Sequence, residues 1–203
     1  MLKRVLVVFC LCLPLPVGAA PLIMVFGDSL SSGYGLPQEV GWVSLLKKRL
    51  QQERLDYEVV NTSISGETTR GGLSRITQSL AAHHPSIVIL ELGGNDGLRG
   101  QPVEATRGNL EGIIKACQLH GAKVLLIGMR LPPNYGTAYT QKFQSIYPEL
   151  AKRYRLPLTP FMLEGFSYDP AMFQSDGIHP TAVAQPIILD NVWKTLKPLL
   201  RNL

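Results

Sequence analysis

Cysteine is scarce in this chain, and the few that occur leave no disulfide in its main part. Only three of the 203 residues are cysteine. Cys10 and Cys12 lie in an N-terminal leader, and Cys117 stands alone in a stretch with helical periodicity. A single thiol cannot form an intramolecular disulfide once the leader is removed. We therefore expect Cys117 to be a buried structural thiol.

Charge and low-complexity sequence are also scarce. Charged residues make up 17% of the chain and hydrophobic residues 45%, which is enough for a large core and too apolar for a disordered chain. The net charge is +5, and it falls to +3 when Lys3 and Arg4 leave with the leader. So mild a basicity argues against a nucleic-acid partner. No repeat or linker interrupts residues 20–203, so we predict a single domain there. We expect this domain to be a monomer.

The leader has the pattern of a secretory signal peptide. Lys3 and Arg4 precede an apolar run at residues 5–17, and small residues follow it. We predict cleavage after Ala19, which makes residues 1–19 the signal peptide. The alternative is an uncleaved membrane anchor, but the run is shorter than the roughly 20 residues that span a bilayer. The sequence therefore predicts secretion without a stable membrane anchor.

Apolar runs and helical patterns alternate along the rest of the chain. This alternation predicts an α/β fold in which helices cover both faces of a central parallel sheet, a three-layer α/β/α sandwich of about five strands. The predicted strands are residues 22–26, 57–60, 87–92, 124–128 and 156–160. The predicted helices are residues 42–53, 72–82, 103–120, 138–154 and 181–199.

Ser29 follows the first strand, in the segment Gly27-Asp28-Ser29-Leu30. Ligands of such folds bind beyond the carboxyl ends of the strands, and Gly27 would allow a sharp turn there. A serine hydroxyl is a weak nucleophile until a base takes its proton and a carboxylate orients that base. The sequence therefore predicts Ser29 as a nucleophile that needs a distant base.

The histidines can be sorted by the edge of the sheet on which they fall. Three of them precede the third or fourth strand, which places them at the wrong edge: His83, His84 and His120. His179 alone escapes that objection, and Asp176 stands three residues before it. We predict His179 as the base and Asp176 as the acid that orients it.

Acyl transfer also needs hydrogen-bond donors for the oxyanion that develops on the substrate. Asn95 follows the third strand and offers a neutral amide with two N–H bonds. Gly66 follows the second strand and can bring its backbone N–H close to a substrate. Together with the Ser29 N–H, these residues form the predicted oxyanion hole. No histidine or cysteine cluster has metal-ligand spacing, so the sequence predicts no metal and no cofactor.

These residues fall in four blocks that resemble those of the SGNH, or GDSL, hydrolases. The blocks are Gly27-Asp28-Ser29-Leu30, the glycine at 66, Gly93-Gly94-Asn95-Asp96 and Asp176-Gly177-Ile178-His179. The resemblance implies a flavodoxin-like topology and a serine hydrolase that uses Ser29, Gly66, Asn95 and His179. Segments 63–68, 91–100 and 131–136 are similar to a bacterial periplasmic branch described as acting on acyl-CoA thioesters, lysophospholipids, aryl esters and proteins. Pro133 is a departure within the last of these segments.

Two further interpretations follow from residues around these blocks. Asp28 and Asp96 adjoin site residues, and we interpret them as supports for the turns that aim Ser29 and Asn95. Apolar residues after the fourth strand form a candidate acyl pocket, namely Leu131, Pro132 and Tyr135, with segment 161–173 as a further source or as ordinary core. No Gly-x-Ser-x-Gly surrounds Ser29, so the α/β-hydrolase elbow is not the template.

Three functions remain open at this point. The first is a secreted serine esterase and thioesterase for small-molecule substrates with fatty-acyl or aryl groups. The second is a carbohydrate O-deacetylase of the same family, which would prefer acetyl groups. The third is a non-catalytic periplasmic protein that binds lipid in the same pocket. The intact set of site residues favours catalysis, and the apolar loop after the fourth strand favours the lipid-like substrates.

Overall fold

The computed structural model describes residues 20–200, so the predicted signal peptide lies outside the described residues. Five strands in this range form one parallel sheet: β1 (Leu22–Gly27), β2 (Glu58–Asn61), β3 (Ile87–Glu91), β4 (Lys123–Ile127) and β5 (Leu158–Thr159). Their spatial order is β2-β1-β3-β4-β5. This is the flavodoxin-like order, and it confirms the predicted fold class.

Seven helices accompany the strands within residues 20–200: α1 (Ser29–Ser32), α2 (Trp42–Gln52), α3 (Thr69–His83), α4 (Gly94–Leu98), α5 (Val103–Leu119), α6 (Thr137–Tyr154) and α7 (Gln185–Leu200). Short 3-10 turns occur at Pro133–Tyr135, Pro170–Met172 and Ala182–Ala184. None of the helices in this range combines the length and apolarity needed to cross a bilayer.

The helices form two layers because the crossovers are right-handed. The crossover from β1 to β2 runs toward one edge of the sheet, and the crossover from β2 to β3 runs back past β1 in the opposite direction. Right-handed crossovers in opposite directions place α2 and α3 on opposite faces of the sheet. In agreement, α2 packs on α7, whereas α3, α5 and α6 lie side by side. Every residue of β3 is buried, as expected for a strand covered on both faces. The carboxyl edge of the sheet therefore lies between two helical layers.

The two shortest helices were predicted as turns. Ser29 is the first residue of α1, and the Asp28 carboxylate caps that helix by accepting the Leu30 N–H at 3.0 Å. Asn95 lies in the first turn of α4. Helices of four or five residues carry too little periodicity to be detected in a sequence. Both begin within three residues of the end of a strand, so they fix the side chains that leave the carboxyl edge of the sheet.

Gly27 is required for packing rather than for the turn that the sequence suggested. It ends β1 opposite Glu91 of β3, and it is not among the described glycines with positive φ. A β-carbon at position 27 would lie 2.5 Å from Glu91 Oε2 and 2.8 Å from the Glu91 carbonyl oxygen. The absence of a side chain at Gly27 therefore makes room for the carboxyl group of Glu91.

Cys117 is buried in α5, as predicted. Its burial raises the pKa of the thiol to about 12, so the thiolate is absent at neutral pH. A thiol in that state is a poor nucleophile. Cys117 is therefore a packing residue of the core.

We expect Gly27→Ala to destabilise the fold by about 1–3 kcal/mol, since the new methyl group would overlap a backbone atom that cannot move away. Gly108→Ala is the matched control, because Gly108 is exposed in α5 and has open space around it. That change should stabilise the protein by about 0.5–1 kcal/mol through helix propensity. Denaturant unfolding measures both, and equal effects would contradict the packing argument.

Candidate active site

The structure brings Ser29, His179 and Asp176 into one hydrogen-bonded chain. Ser29 Oγ lies 2.9 Å from His179 Nε2, although the two residues are 150 positions apart. His179 Nδ1 lies 2.7 Å from Asp176 Oδ2. An ionised carboxylate only accepts hydrogen bonds, so Nδ1 carries the proton and Nε2 is left to accept from the serine hydroxyl. The geometry is that of a nucleophile, a base and an orienting acid.

Asp176 also shapes the turn that presents His179. Its Oδ1 accepts the backbone N–H groups of Ile178 at 2.9 Å and His179 at 3.0 Å. The pKa of Asp176 falls to about 2, first because of the His179 N–H, then because of the His179 ring and the Ile178 N–H. One carboxylate therefore holds both the backbone and the side chain of His179, which explains their spacing of three residues.

Tyr34 covers the imidazole, and sequence reasoning missed it. The ring centroids of Tyr34 and His179 are 4.4 Å apart, and Tyr34 is 51% exposed. Gln174 connects their backbones, because its side chain donates to the Tyr34 carbonyl at 2.9 Å and its N–H donates to the His179 carbonyl at 2.7 Å. An aromatic residue between two glycines shortly after the nucleophile was the available signal. Tyr34 limits the positions that the ring of His179 can take.

The loop after β2 places Gly66 and Glu67 next to the end of β1. The Ile64 N–H donates to the Gly27 carbonyl at 3.0 Å, which ties the loop to the strand before Ser29. Gly66 has φ +79°, a left-handed conformation that favours glycine. Within residues 20–200, no carbonyl or side chain accepts from the N–H groups of Ser29 and Gly66. Both backbone donors are therefore free to serve a bound substrate.

Asn95 lies between the two other oxyanion candidates. Its amide nitrogen donates to the Glu67 carbonyl at 3.0 Å and to Asp28 Oδ2 at 3.2 Å. Glu67 follows Gly66, and Asp28 precedes Ser29, so all three predicted donors occupy one region. Both amide hydrogens of Asn95 are thus engaged. A substrate oxygen has to share or replace one of these acceptors.

Only one of the two supporting aspartates acts on Asn95. Asp28 accepts from Leu30 in the turn at Ser29, as predicted, and it also accepts from Asn95. Asp96 instead accepts from the Thr69 N–H at 2.9 Å and the Thr69 hydroxyl at 2.6 Å. The interpretation of Asp96 as a support for the Asn95 turn was wrong, because its side chain points to the start of α3. Asp96 fixes the helix that follows the Gly66 loop.

Two arginines hold the loop that contains Gly66, and sequence reasoning missed both. Arg75 Nε lies 2.7 Å from Glu67 Oε2, and its guanidinium lies 3.9 Å from the centroid of the Phe26 ring. Arg99 donates to the Gly66 carbonyl at 3.2 Å. These contacts orient the loop so that the Glu67 carbonyl faces Asn95.

The predicted acyl-pocket residues lie against the helix that carries Asn95. Leu131 packs so closely on Gly97 that a β-carbon there would be 2.4 Å from Leu131 Cδ2. Tyr135 donates its hydroxyl hydrogen to the Leu98 carbonyl at 3.0 Å. Pro132 is exposed between them. Residues of the other apolar segment are buried in the core, which makes them packing residues: Phe161, Met162 and Phe166.

A separate polar cavity of about 350 Å³ lies beside α1, toward β2. It does not include the predicted acyl-pocket residues, and its lining contains Ser31, Ser32, Lys47, Asn61 and Ser63. Among residues 20–200, no group of three or more histidine, cysteine, aspartate or glutamate side chains could hold a metal ion.

Comparisons with known proteins find relatives that match most of this chain. Residues 25–185 match the model of the GDSL-like lipase/acylhydrolase family. Esterase TesA of Pseudomonas aeruginosa is 50% identical over 90% of each chain. Thioesterase 1/protease 1/lysophospholipase L1 of Escherichia coli is 42% identical over 96% of this chain and 92% of its own. A crystal structure of TesA superposes with a TM-score of 0.86 at 49% identity, covering 88% of this chain and 99% of that one.

The lowered pKa of Asp176 makes its contribution to stability depend on pH. The folded-state pKa of about 2 lies below the ordinary 3.8, so ionised Asp176 stabilises the fold at neutral pH, and this contribution is lost as pH falls through about 2. We expect Asp176→Asn to lower the free energy of unfolding by at most about 1 kcal/mol at pH 7, because the side chain is 37% exposed and solvent screens the interaction.

Denaturant unfolding from pH 7 to pH 2 measures this dependence, and the difference between Asp176→Asn and wild type should vanish near pH 2. Asp169→Asn is the matched control, because the Asp169 carboxylate makes a similar turn with the Ala171 N–H at 3.0 Å but touches no imidazole. A difference for Asp176→Asn that stayed constant down to pH 2 would contradict the argument.

Proposed function

Because the chain belongs to the GDSL-like lipase/acylhydrolase family, we propose that it is a serine esterase and thioesterase for apolar acyl and aryl groups. Its substrates would include acyl-CoA thioesters and lysophospholipids. The observation that carries this proposal is the hydrogen-bonded chain from Ser29 through His179 to Asp176, with contacts of 2.9 and 2.7 Å. The names of the relatives, an esterase and a thioesterase/lysophospholipase, support the substrate class.

The reaction proceeds through an acyl-enzyme. Ser29 Oγ attacks the acyl carbon while His179 Nε2 takes the hydroxyl proton, and the imidazolium then gives that proton to the departing alcohol or thiol. Water attacks the acyl-enzyme in the second half, with His179 again as base. Asp176 keeps Nδ1 protonated throughout, so Nε2 always faces the reacting oxygen.

Three donors stabilise the negative oxygen of each tetrahedral intermediate. They are the N–H groups of Ser29 and Gly66 and the side-chain amide of Asn95. The Asn95 amide gives up or shares its bond to the Glu67 carbonyl and retains the bond to Asp28. Such a donor contributes on the order of 2.7–4 kcal/mol to the stability of the transition state.

The acyl group is proposed to lie toward the loop after β4. Leu131, Pro132 and Tyr135 would contact it there, since this loop packs on α4, which carries Asn95. We also propose that residues 1–19 direct secretion, and that residues 20–203 act as a single, monomeric domain in the periplasm. An exported protein that begins at Ala20 is the expected product.

We expect Ser29→Ala to abolish ester hydrolysis while leaving the fold intact, because no other group supplies the nucleophile. Ser74→Ala is the control, since the Ser74 hydroxyl only donates to the Gly71 carbonyl on the surface. Turnover of a p-nitrophenyl ester and labelling by a fluorophosphonate report on both variants. Labelling of wild type and Ser74→Ala but not of Ser29→Ala is the expected result. Folded wild type that resists labelling would favour a non-catalytic lipid-binding protein.

Acyl-chain preference distinguishes the esterase from a carbohydrate O-deacetylase. Each methylene that is buried in an apolar site contributes about 0.8 kcal/mol, so kcat/KM should rise roughly fourfold per methylene at first. A p-nitrophenyl ester series from acetyl upward, with acyl-CoA thioesters beside it, measures this slope. Leu131→Ala should flatten the slope and leave acetyl ester turnover nearly unchanged. A maximum at acetyl would support the O-deacetylase instead.

A further inference from the structure

Glu91 is a buried acid beside the active site that the reaction described above does not use. It ends β3, and none of its surface is exposed. Its nearest strand partner is Gly27, whose missing side chain makes room for the Glu91 carboxyl. A charged residue type is rarely buried this completely without a partner. The contacts of Glu91 therefore call for an explanation.

One oxygen of Glu91 is an acceptor, and the other is not. Oε2 accepts the Ser31 hydroxyl at 2.6 Å and the Asp28 N–H at 3.3 Å. Oε1 is buried, and no donor in the described residues reaches it. The Asp28 carboxylate is the neighbouring acid, and its charge adds to the burial of Glu91 in raising the pKa of Glu91. A proton on Oε1 would change that oxygen from an acceptor without a partner into a donor.

The charges around Glu91 and Asp28 also indicate that this pair of carboxyl groups holds a proton. Asp28 is 2% exposed, and within residues 20–200 neither carboxyl forms an ion pair with a lysine or arginine. Burial raises the pKa of both groups, and their mutual repulsion raises that of Glu91 further. The buried Tyr147 hydroxyl donates to the Leu92 carbonyl, so its hydrogen is not donated to either carboxyl group. Two adjacent buried carboxyls without a cation share one proton.

Asp28 has to be the ionised member of the pair. Its Oδ1 accepts the Leu30 N–H at 3.0 Å, and its Oδ2 accepts the Asn95 amide at 3.2 Å. With both oxygens accepting, Asp28 has no need of a proton of its own. Glu91 has an oxygen without a partner, so the shared proton resides there.

We propose that Glu91 is a positioning residue of the esterase site. It stays protonated and donates a hydrogen bond to the Asp28 carboxylate, and this bond holds Asp28 against Leu30 and Asn95. This inference rests on the proposed function, because it concerns the alignment of Ser29 and Asn95. Asp28 contacts both elements that must be aligned, namely the start of α1 and the Asn95 side chain. Loss of the Glu91 donor leaves Asp28 free to turn, and the oxyanion donor turns with it.

Two substitutions of Glu91 separate positioning from packing. Glu91→Gln keeps a carbonyl oxygen for Ser31 and an N–H donor for Asp28, so it should retain most of the turnover. Glu91→Leu keeps a similar volume but removes both hydrogen-bonding functions. We expect kcat for a p-nitrophenyl ester to fall by up to about 100-fold in Glu91→Leu, with KM little changed, since misplacement of a catalytic group acts on the transition state.

Infrared spectroscopy detects the proton on Glu91 directly. It compares wild type with Glu91→Gln alone, so it does not depend on the activity or the folding of Glu91→Leu. With glutamate labelled by carbon-13, wild type at neutral pH should show the C=O stretch of a protonated carboxylic acid, and Glu91→Gln should lack it. Absence of this band in wild type would overturn the proposal. So would an unchanged kcat in folded Glu91→Leu, or a loss in Glu91→Gln as large as in Glu91→Leu.

The proposed function can fail separately from this inference. Hydrolysis that persisted in Ser29→Ala would sink the assignment of the nucleophile, whatever the state of Glu91. An active wild type with Ser29 labelled but without the protonated-acid band would retain the esterase and reject the role of Glu91.

Discussion

The parallel pairing of β1 with β3 is the constraint on which the rest of the site depends. It sets Gly27 opposite Glu91, so the segments that follow the two strands leave the sheet side by side. Ser29 follows one strand and Asn95 the other, and Asp28 connects them through a hydrogen bond of 3.2 Å. A shift in register would move Asn95 away from the nucleophile, and no adjustment of a side chain could restore the alignment.

His179 reaches this edge from the far end of the sequence, and the structure reduces the entropy cost of placing it there. Asp176 fixes the backbone and ring of His179 within one short turn. Tyr34 and Gln174 then tie that turn to the loop after α1. The imidazole is thus ordered before substrate arrives, and binding energy is not needed to orient it. Local turns supply the geometry, and the sheet supplies the proximity.

The sequence predicts the fold class because buried parallel strands are apolar runs separated by amphipathic helices. It also predicts Ser29 and His179 as a pair, since sorting by sheet edge needs only strand positions. It fails where a contact depends on three-dimensional packing. Asp96 was assigned to the wrong turn because its partner, Thr69, lies in another helix. Glu91 is not identified from the sequence as a residue of the site, because it lies within the apolar run that predicts the third strand.

A buried acid pair beside the proposed oxyanion hole needs an electrostatic justification. A second ionised carboxylate would oppose the negative oxygen that forms on the substrate, and in a site shielded from water this repulsion is large. One carboxylate is still required, because it accepts from Leu30 and Asn95 and so aligns Ser29 with Asn95. A protonated Glu91 meets both requirements, since it orients Asp28 without adding charge. An apolar residue at position 91 would avoid the same charge but would leave Asp28 without that donor.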